Sequence, residues 1–317
     1  MEIWFLMTLT YVLTFLVLIW LIEFQKKKHI GQHVREEGLE SHKKKNNTPI
    51  FGGVAFVSVY IIVFTLLLVL NEVDIFLYLL VVFPLISYAT LGFVDDFLIL
   101  KFKNNRGIKP NLKFFVQIII AIIYFVIYLS FNFDTTIDLI IFKVNLKFLY
   151  GIFILLSFSG FSNALNITDG ADGLLAGTFS FIIVGLYFII DDIYIRNYLA
   201  IIFAGLCAFL YFNLPKAKIF MGDTGSLALG SLFVSIFIIL KMEIFMFVFG
   251  LVYLIEVGSV MLQVMYFKKT KGKRIFKMAP IHHHFEITLK SETKTLILFY
   301  MITIISVILG MVLYINA

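Results

Sequence analysis

Apolar runs of about twenty residues recur along the whole chain, separated by short polar or charged stretches. Crossing the hydrocarbon core of a bilayer takes about 20 helical residues, so each run is a candidate membrane span. Composition agrees: the chain is 61% hydrophobic and 15% charged, with a mean hydropathy of +0.99. A soluble domain is roughly half apolar and a quarter charged, which excludes that class here. The expectation is an all-α integral membrane protein of about ten transmembrane helices, forming a single polytopic domain over residues 1–317.

The runs place spans at 3–22, 51–70, 75–94, a fourth ending near Leu129, then 148–165, 174–190, 197–212, 225–240, 244–266 and 294–315. The first span has no basic residues before it and no small-residue cleavage site after it, and Lys26, Lys27 and Lys28 follow at once. It reads as a retained span with its N-terminus outside rather than as a signal peptide. Both termini are then extracytoplasmic. Five loops share the other face: 23–50, 95–112, 163–173, 213–224 and 268–292. Of the 26 Lys and Arg, 21 lie in those loops or at Lys113 on their edge, which assigns that face to the cytoplasm. The net charge of +6 is therefore loop charge and not a nucleic-acid signal. The single cysteine, Cys207, lies in an apolar run and reads as helix packing. Residues 131–147 alternate and are β-branched, which predicts a small hairpin on the extracytoplasmic face.

The polar motifs all fall on the cytoplasmic loops. Asn163 to Gly177 reads NALNITDGADGLLAG, with Asn166, Asp169 and Asp172 between two apolar runs and Gly170 and Gly173 beside the acids. Acids three apart share one face of a helical turn, and glycines let backbone or ligand approach closely. The result is an oxygen-rich patch suited to Mg²⁺ and phosphate; the competing reading is a polar loop between two spans. Asp95-Asp96 is expected to end the third span. Adjacent carboxylates at a membrane edge need a cation or base to offset them, which suggests metal ligation or general-base work. Acids also oppose a helix C-terminal dipole, which weighs against a plain helix end.

Phe220 to Ser226 (FMGDTGS) opens the eighth span. Asp223 reads there either as a helix N-cap or as an Mg²⁺ ligand beside N–H groups that favour phosphate. Asn213, ten residues before Asp223, is a candidate contact for a base or sugar. In the last cytoplasmic loop, Pro280 to Glu286 reads PIHHHFE. Consecutive His residues do not easily face one zinc ion, so phosphate contact with Lys273, Arg274 and Lys277 nearby is the better reading. Ser41 to Gly53 combines a Lys cluster with Thr-Pro and Gly-Gly, a shaped turn that delivers Lys to the same face. Acids, Mg²⁺ and basic groups beside lipid suit phosphoryl transfer to a membrane-embedded acceptor.

Taken in order, TPxxGG, GFVDD, NxxNxTDGxDGL, FMGDTGSLALG and PIHHHFE resemble the polyprenyl-phosphate N-acetylhexosamine-1-phosphate transferases over nearly the whole chain. The triple His favours the branch that uses a muramoyl-pentapeptide donor over the branch that uses UDP-GlcNAc. The resemblance implies that undecaprenyl phosphate attacks the β-phosphate of UDP-MurNAc-pentapeptide, giving lipid I and UMP in peptidoglycan synthesis, with Mg²⁺ as cofactor and a homodimer in the bilayer. It further implies a catalytic set of Asp95, Asp96, Lys113, Asp172, His282 and His283, with Asp95 as general base. The implied metal ligand is Asp223. Implied substrate contacts are Lys43, Lys45, Thr48, Asn163, Asn166, Asp169, Gly170, Asn213, Phe220, Gln263 and His284. Two positions depart from the pattern: Ile99 stands where the family often has Lys, with Lys101 the nearest base, and Asn47 stands where Gly is usual. The resemblance does not choose between a single displacement and a phospho-enzyme on an aspartate. A transporter is the rival from another class, because buried acids mark those as well, although its acids belong near mid-span.

Overall fold

A computed structural model describes residues 2–31, 47–102 and 107–316. Apolar side chains cover every face of the long segments, as burial in lipid or protein requires, and twelve helices form among the described residues: α1 (Ile3–Lys27), α2 (Gly52–Val69), α3 (Ile75–Phe102), α4 (Pro110–Ser130), α5 (Leu149–Thr168), α6 (Leu174–Ile189), α7 (Ile193–Asn213), α8 (Gly222–Ile239), α9 (Phe245–Phe249), α10 (Leu251–Lys269), α11 (Ile281–Leu289) and α12 (Glu292–Ile315). Nine of these are long and apolar enough to cross a membrane. The tenth expected span is α6, which has 16 residues and reaches only about 24 Å at 1.5 Å per residue. The expected hairpin is present: β1 (Thr136–Asp138) pairs antiparallel with β2 (Lys143–Asn145), with Ile137 opposite Val144.

Several boundaries differ from expectation, and each difference has a local cause. α3 continues past Asp95-Asp96 to Phe102, so the acid pair sits inside a helix and not at its end. α7 begins at Ile193 because Asp192 caps it, its Oδ1 accepting from the N–H groups of Tyr194 (2.9 Å) and Ile195 (3.0 Å). α8 begins at Gly222, which places Asp223 in its first turn. The ninth span is broken at Gly250 into α9 and α10. The last polar loop is not continuous coil, since α11 carries the three His residues.

α8 is the most deeply buried of the long helices and forms the hub of the bundle. Its small residues allow this. A Cβ built on Gly53 of α2 would fall 2.2 Å from the backbone nitrogen of Gly225, so these helices meet backbone to backbone. Close approach through small residues is the usual way membrane helices associate, because lipid removes the hydrophobic drive between them. The hub thereby presents its first turn to α3, α4 and α5 at one end of the bundle.

Candidate active site

The site is built at that end, around Asp223 in the first turn of α8. Gly222 makes the turn possible: its φ is +71°, and a Cβ there would lie 2.6 Å from Asp96 Oδ2. Asp96, from α3, occupies that space. Its Oδ1 accepts from the Asp223 N–H at 3.0 Å, and its Oδ2 accepts from the N–H and hydroxyl of Thr224 at 3.0 and 2.7 Å. These are N–H groups of a helix's first turn, left without intrahelical partners. Asp96 thus caps α8 from another helix, filling the role that the sequence suggested for Asp223 itself. Every oxygen of Asp96 is engaged in this cap, and its side chain is buried.

Asp223 is left facing the site. Its Oδ1 accepts from Asn166 Nδ2 at 2.7 Å and its Oδ2 from Lys113 Nζ at 2.8 Å. The Asn166 amide also donates to Ser226 Oγ at 2.9 Å, which fixes its orientation. Lys113 lies 3.4 Å from Asp95 Oδ2 and so bridges two acids. The other Asp95 oxygen accepts from the Ile108 N–H. Asp169 caps the C-terminal end of α5 and is partly buried. Burial first, and then the charges of Asp223, Asp96 and Asp172, push its carboxyl well above the usual range. Its carboxylate accepts no hydrogen bond from the described residues. Asp95, Asp96, Asp169 and Asp223 thus form one cluster among the described residues, in which Lys113 meets two of them, Asp95 and Asp223.

Several other candidates carry structure at the edge of this cluster. Asp172 Oδ2 accepts from the Ala217 N–H (2.8 Å). Asn213 is buried; its Oδ1 accepts from the Gly173 N–H (3.0 Å) while its amide donates to the Ile219 carbonyl (2.9 Å). The amide expected to read a base or sugar therefore clamps the 169–173 turn to the 214–219 loop. Phe220 pairs through its backbone with Pro49 and Gly52 (both 2.8 Å) and keeps its ring half-buried. Thr48 lies on the same strap, half-exposed. Gln263 accepts from the N–H groups of Ile275 and Phe276 (3.1 and 3.0 Å), and His284 Nδ1 accepts from that of Lys277 (3.1 Å), so both shape the 270–280 loop. Asn163 turns back onto the Ser159 carbonyl (2.7 Å). His282 is buried beneath Gly170, and His283 lies 3.4 Å from Glu286. Lys101, the nearest base to Ile99, is exposed over the Phe102 ring and joins no acid of the cluster. Lys43 and Lys45 lie outside the described residues.

No group of three or more His, Cys, Asp or Glu side chains among the described residues is placed to hold a metal ion on its own. The donors are nevertheless all oxygen and mostly anionic. That suits Mg²⁺, which binds through one or two carboxylates and fills its octahedron with water and substrate phosphate.

Residues 76–241, which run from α3 to just beyond α8 and hold every acid of the cluster, match the family described as Glycosyl transferase family 4. This chain belongs to that family. It is 43% identical over 312 residues to the phospho-N-acetylmuramoyl-pentapeptide-transferase of Staphylococcus aureus strain bovine RF122 / ET3-1, with 96% of each chain covered. Identity is likewise 43%, over 313 residues, to the protein of the same name from strain MSSA476. The similarity extends well past the matched family region at both ends, so α1 and the His-bearing α11 belong to the shared sequence too.

Sequence reasoning missed Glu256, Thr224 and Gly222. The signal for Glu256 was present: a carboxylate alone in the apolar run LVYLIEVGSV is a functional candidate by default.

Proposed function

We propose that this chain transfers phospho-MurNAc-pentapeptide from UDP-MurNAc-pentapeptide to undecaprenyl phosphate, giving lipid I and UMP in peptidoglycan synthesis. One observation carries the reading: Asp95 and Asp223 meet Lys113, with Asp169 beside Asp223, at one end of a membrane bundle whose sequence aligns over 96% of its length with a transferase of that name. The rival transporter reading fits less well, because Lys113 and Asp223 lie in first helical turns and Asn166 in a last one, not at mid-span.

In the reaction an oxygen of the lipid phosphate forms a bond to the donor's β-phosphorus. The bond from that phosphorus to the bridging oxygen breaks, and UMP leaves with the oxygen. Both reactants are anionic, so the protein's task is positioning and charge neutralisation. Lys113 carries positive charge to the phosphates and bridges Asp95 and Asp223, offsetting their repulsion. Asn166 orients Asp223, and Asp96 fixes the turn that presents it. Asp95 stands beside Lys113 as the base that relieves the acceptor phosphate of its proton. Asp223, with Asp169 and Asp95 as neighbouring oxygens, would hold Mg²⁺, which when bound supplies charge neutralisation on the diphosphate. The half-buried Phe220 ring offers a face for the uracil, and His283 stands beside the donor's phosphates. The single domain spans residues 1–317 in the cytoplasmic membrane as a homodimer, with the site on the cytoplasmic side and both termini outside. The Lys and Arg bias of the loops supports that orientation.

The test is label transfer in detergent. Purified protein is given undecaprenyl phosphate, Mg²⁺ and either UDP-MurNAc-pentapeptide or UDP-GlcNAc, and UMP release is followed. Label should reach lipid only from the muramoyl donor. Transfer from UDP-GlcNAc alone would move the substrate, and no transfer from either donor by folded protein would overturn the reading.

A further inference from the structure

α10 carries Glu256 inside a membrane-spanning helix with no exposure at all, and nothing proposed so far uses it. Its Oε2 lies 2.9 Å from Nδ1 of His282, itself only 1% exposed. A carboxylate only accepts, so in the ionised pair the shared proton sits on His282 Nδ1. The far nitrogen, Nε2, faces the turn that follows α5: a Cβ built on Gly170 would fall 2.5 Å from it. Glu256 thus reaches the Asp169–Gly170 turn through the His282 ring. The same turn is held from its other sides by the bonds of its Asp172 N–H to Glu292 (3.1 Å) and its Gly173 carbonyl to the Tyr300 hydroxyl (2.8 Å).

An ionisable pair at this depth is costly to retain unless it fixes something a greasy contact would leave loose. Here Glu256 Oε1 and His282 Nε2 are both buried without a hydrogen-bond partner, so the pair is not kept for complete hydrogen bonding. What it does fix is direction. His282 lies in the first turn of α11, and the ring of His283 packs on it with centroids 4.1 Å apart. Immobilising the first ring sets the second, and sets the gap between α11 and Asp169.

We propose that Glu256 is a positioning residue of the transferase site, acting through His282 to hold α11 and its His283 at a fixed distance from the Asp169–Gly170 turn on the donor side. This rests on the reading of the reaction given above. It separates the three consecutive His residues by task. His282 is the internal strut, His284 shapes the 270–280 loop through Lys277, and His283, beside Glu286, is the one that the reading of the reaction places at the donor's phosphates.

The experiment compares full-length wild type with E256Q, E256L, H282L and the double variant E256L/H282L. Donor affinity is read by calorimetric titration with UDP-MurNAc-pentapeptide, and KM is measured for donor and lipid acceptor separately. Gln keeps a carbonyl that accepts from Nδ1–H, so E256Q should hold donor affinity within about threefold. E256L and H282L should each weaken it by roughly tenfold or more, with the acceptor KM within about twofold, and the double variant should be no worse than either single change. A general structural defect would move both KM values together. That outcome, additive losses, or a folded E256L that binds donor normally overturns the proposal. If E256L does not fold, ¹⁵N-histidine spectra decide, with H282Q assigning the signal: protonated Nδ1 and bare Nε2 at His282 are expected, and a bare Nδ1 overturns it. A wild type that neither binds nor uses the donor sinks the reading of the reaction, whereas an active wild type with an indifferent E256L sinks the positioning role alone.

Discussion

Helices α4, α5 and α8 carry a buried polar cluster at each of their two ends, and the two clusters differ in charge balance. At one end Lys113 opens α4, Asn166 closes α5 and Asp223 opens α8. At the other end Tyr128 closes α4, Tyr150 opens α5, and Lys241 and Glu243 follow α8. In this second cluster Glu243 Oε1 accepts from the Tyr150 hydroxyl (2.6 Å) and from Lys241 Nζ (2.7 Å), and Lys241 also donates to the Asp134 carbonyl (2.9 Å). One carboxylate meets one ammonium, and the segment leading into the hairpin is tied to the bundle. At the first end, acids outnumber the ammonium. A balanced buried pair is a fastening. An excess of carboxylates beside lipid is retained where positive charge arrives from outside the chain, as it would with a metal ion bound at the diphosphate.

The comparison is most sharply broken by removing charge at the acid-rich end. D223N should lower UMP release by about a thousandfold, the effect of losing several kcal/mol of charge stabilisation, while the protein still inserts and elutes as wild type. Normal Mg²⁺-dependent turnover by that variant would mean that the acid excess is not a metal site. At the balanced end the sign of the effect should change from activity to stability. E243L should cost about 2–4 kcal/mol in thermal or denaturant unfolding, somewhat less than a fully buried pair would, because Lys241 keeps 32% of its side chain exposed. Both KM values should stay put, and K241M/E243L should recover part of the loss. Lost activity with unchanged stability would show that the hairpin end serves the reaction. The smallest effect calibrates the other two. D192A removes an exposed helix cap at the hairpin end and should cost about 1 kcal/mol with no change in turnover; a catalytic defect there would erase the distinction between the ends.

Much of the bundle was legible because hydropathy is a local sum. Each run of apolar residues announces its own helix, and α2, α4, α5 and α12 begin or end within a few residues of expectation. The hairpin was legible for a similar reason, through alternation over 131–147. The ends of α3 and α8 were not, because each is decided by the other: Asp96 caps α8 across 127 residues of chain, and no window of sequence contains both partners. Residue type did not show the structural bonds of Asn213, Gln263 and His284. Their amides and imidazole are the right chemistry for a ligand, yet each is occupied by backbone N–H or C=O groups of nearby loops. Glu256 was passed over although its setting in an apolar run marked it.

By itself the sequence determined that this chain is a stack of membrane helices, because burial in lipid is read residue by residue from apolar surface. Only the tertiary structure decided what each acid does. Asp96 is consumed by a helix end, Glu256 by a histidine and Glu243 by a lysine, while Asp223 and Asp169 face the site. The physical reason is that a buried carboxylate is defined by its hydrogen-bond and charge partners, and here those partners come from other helices brought close by packing around α8.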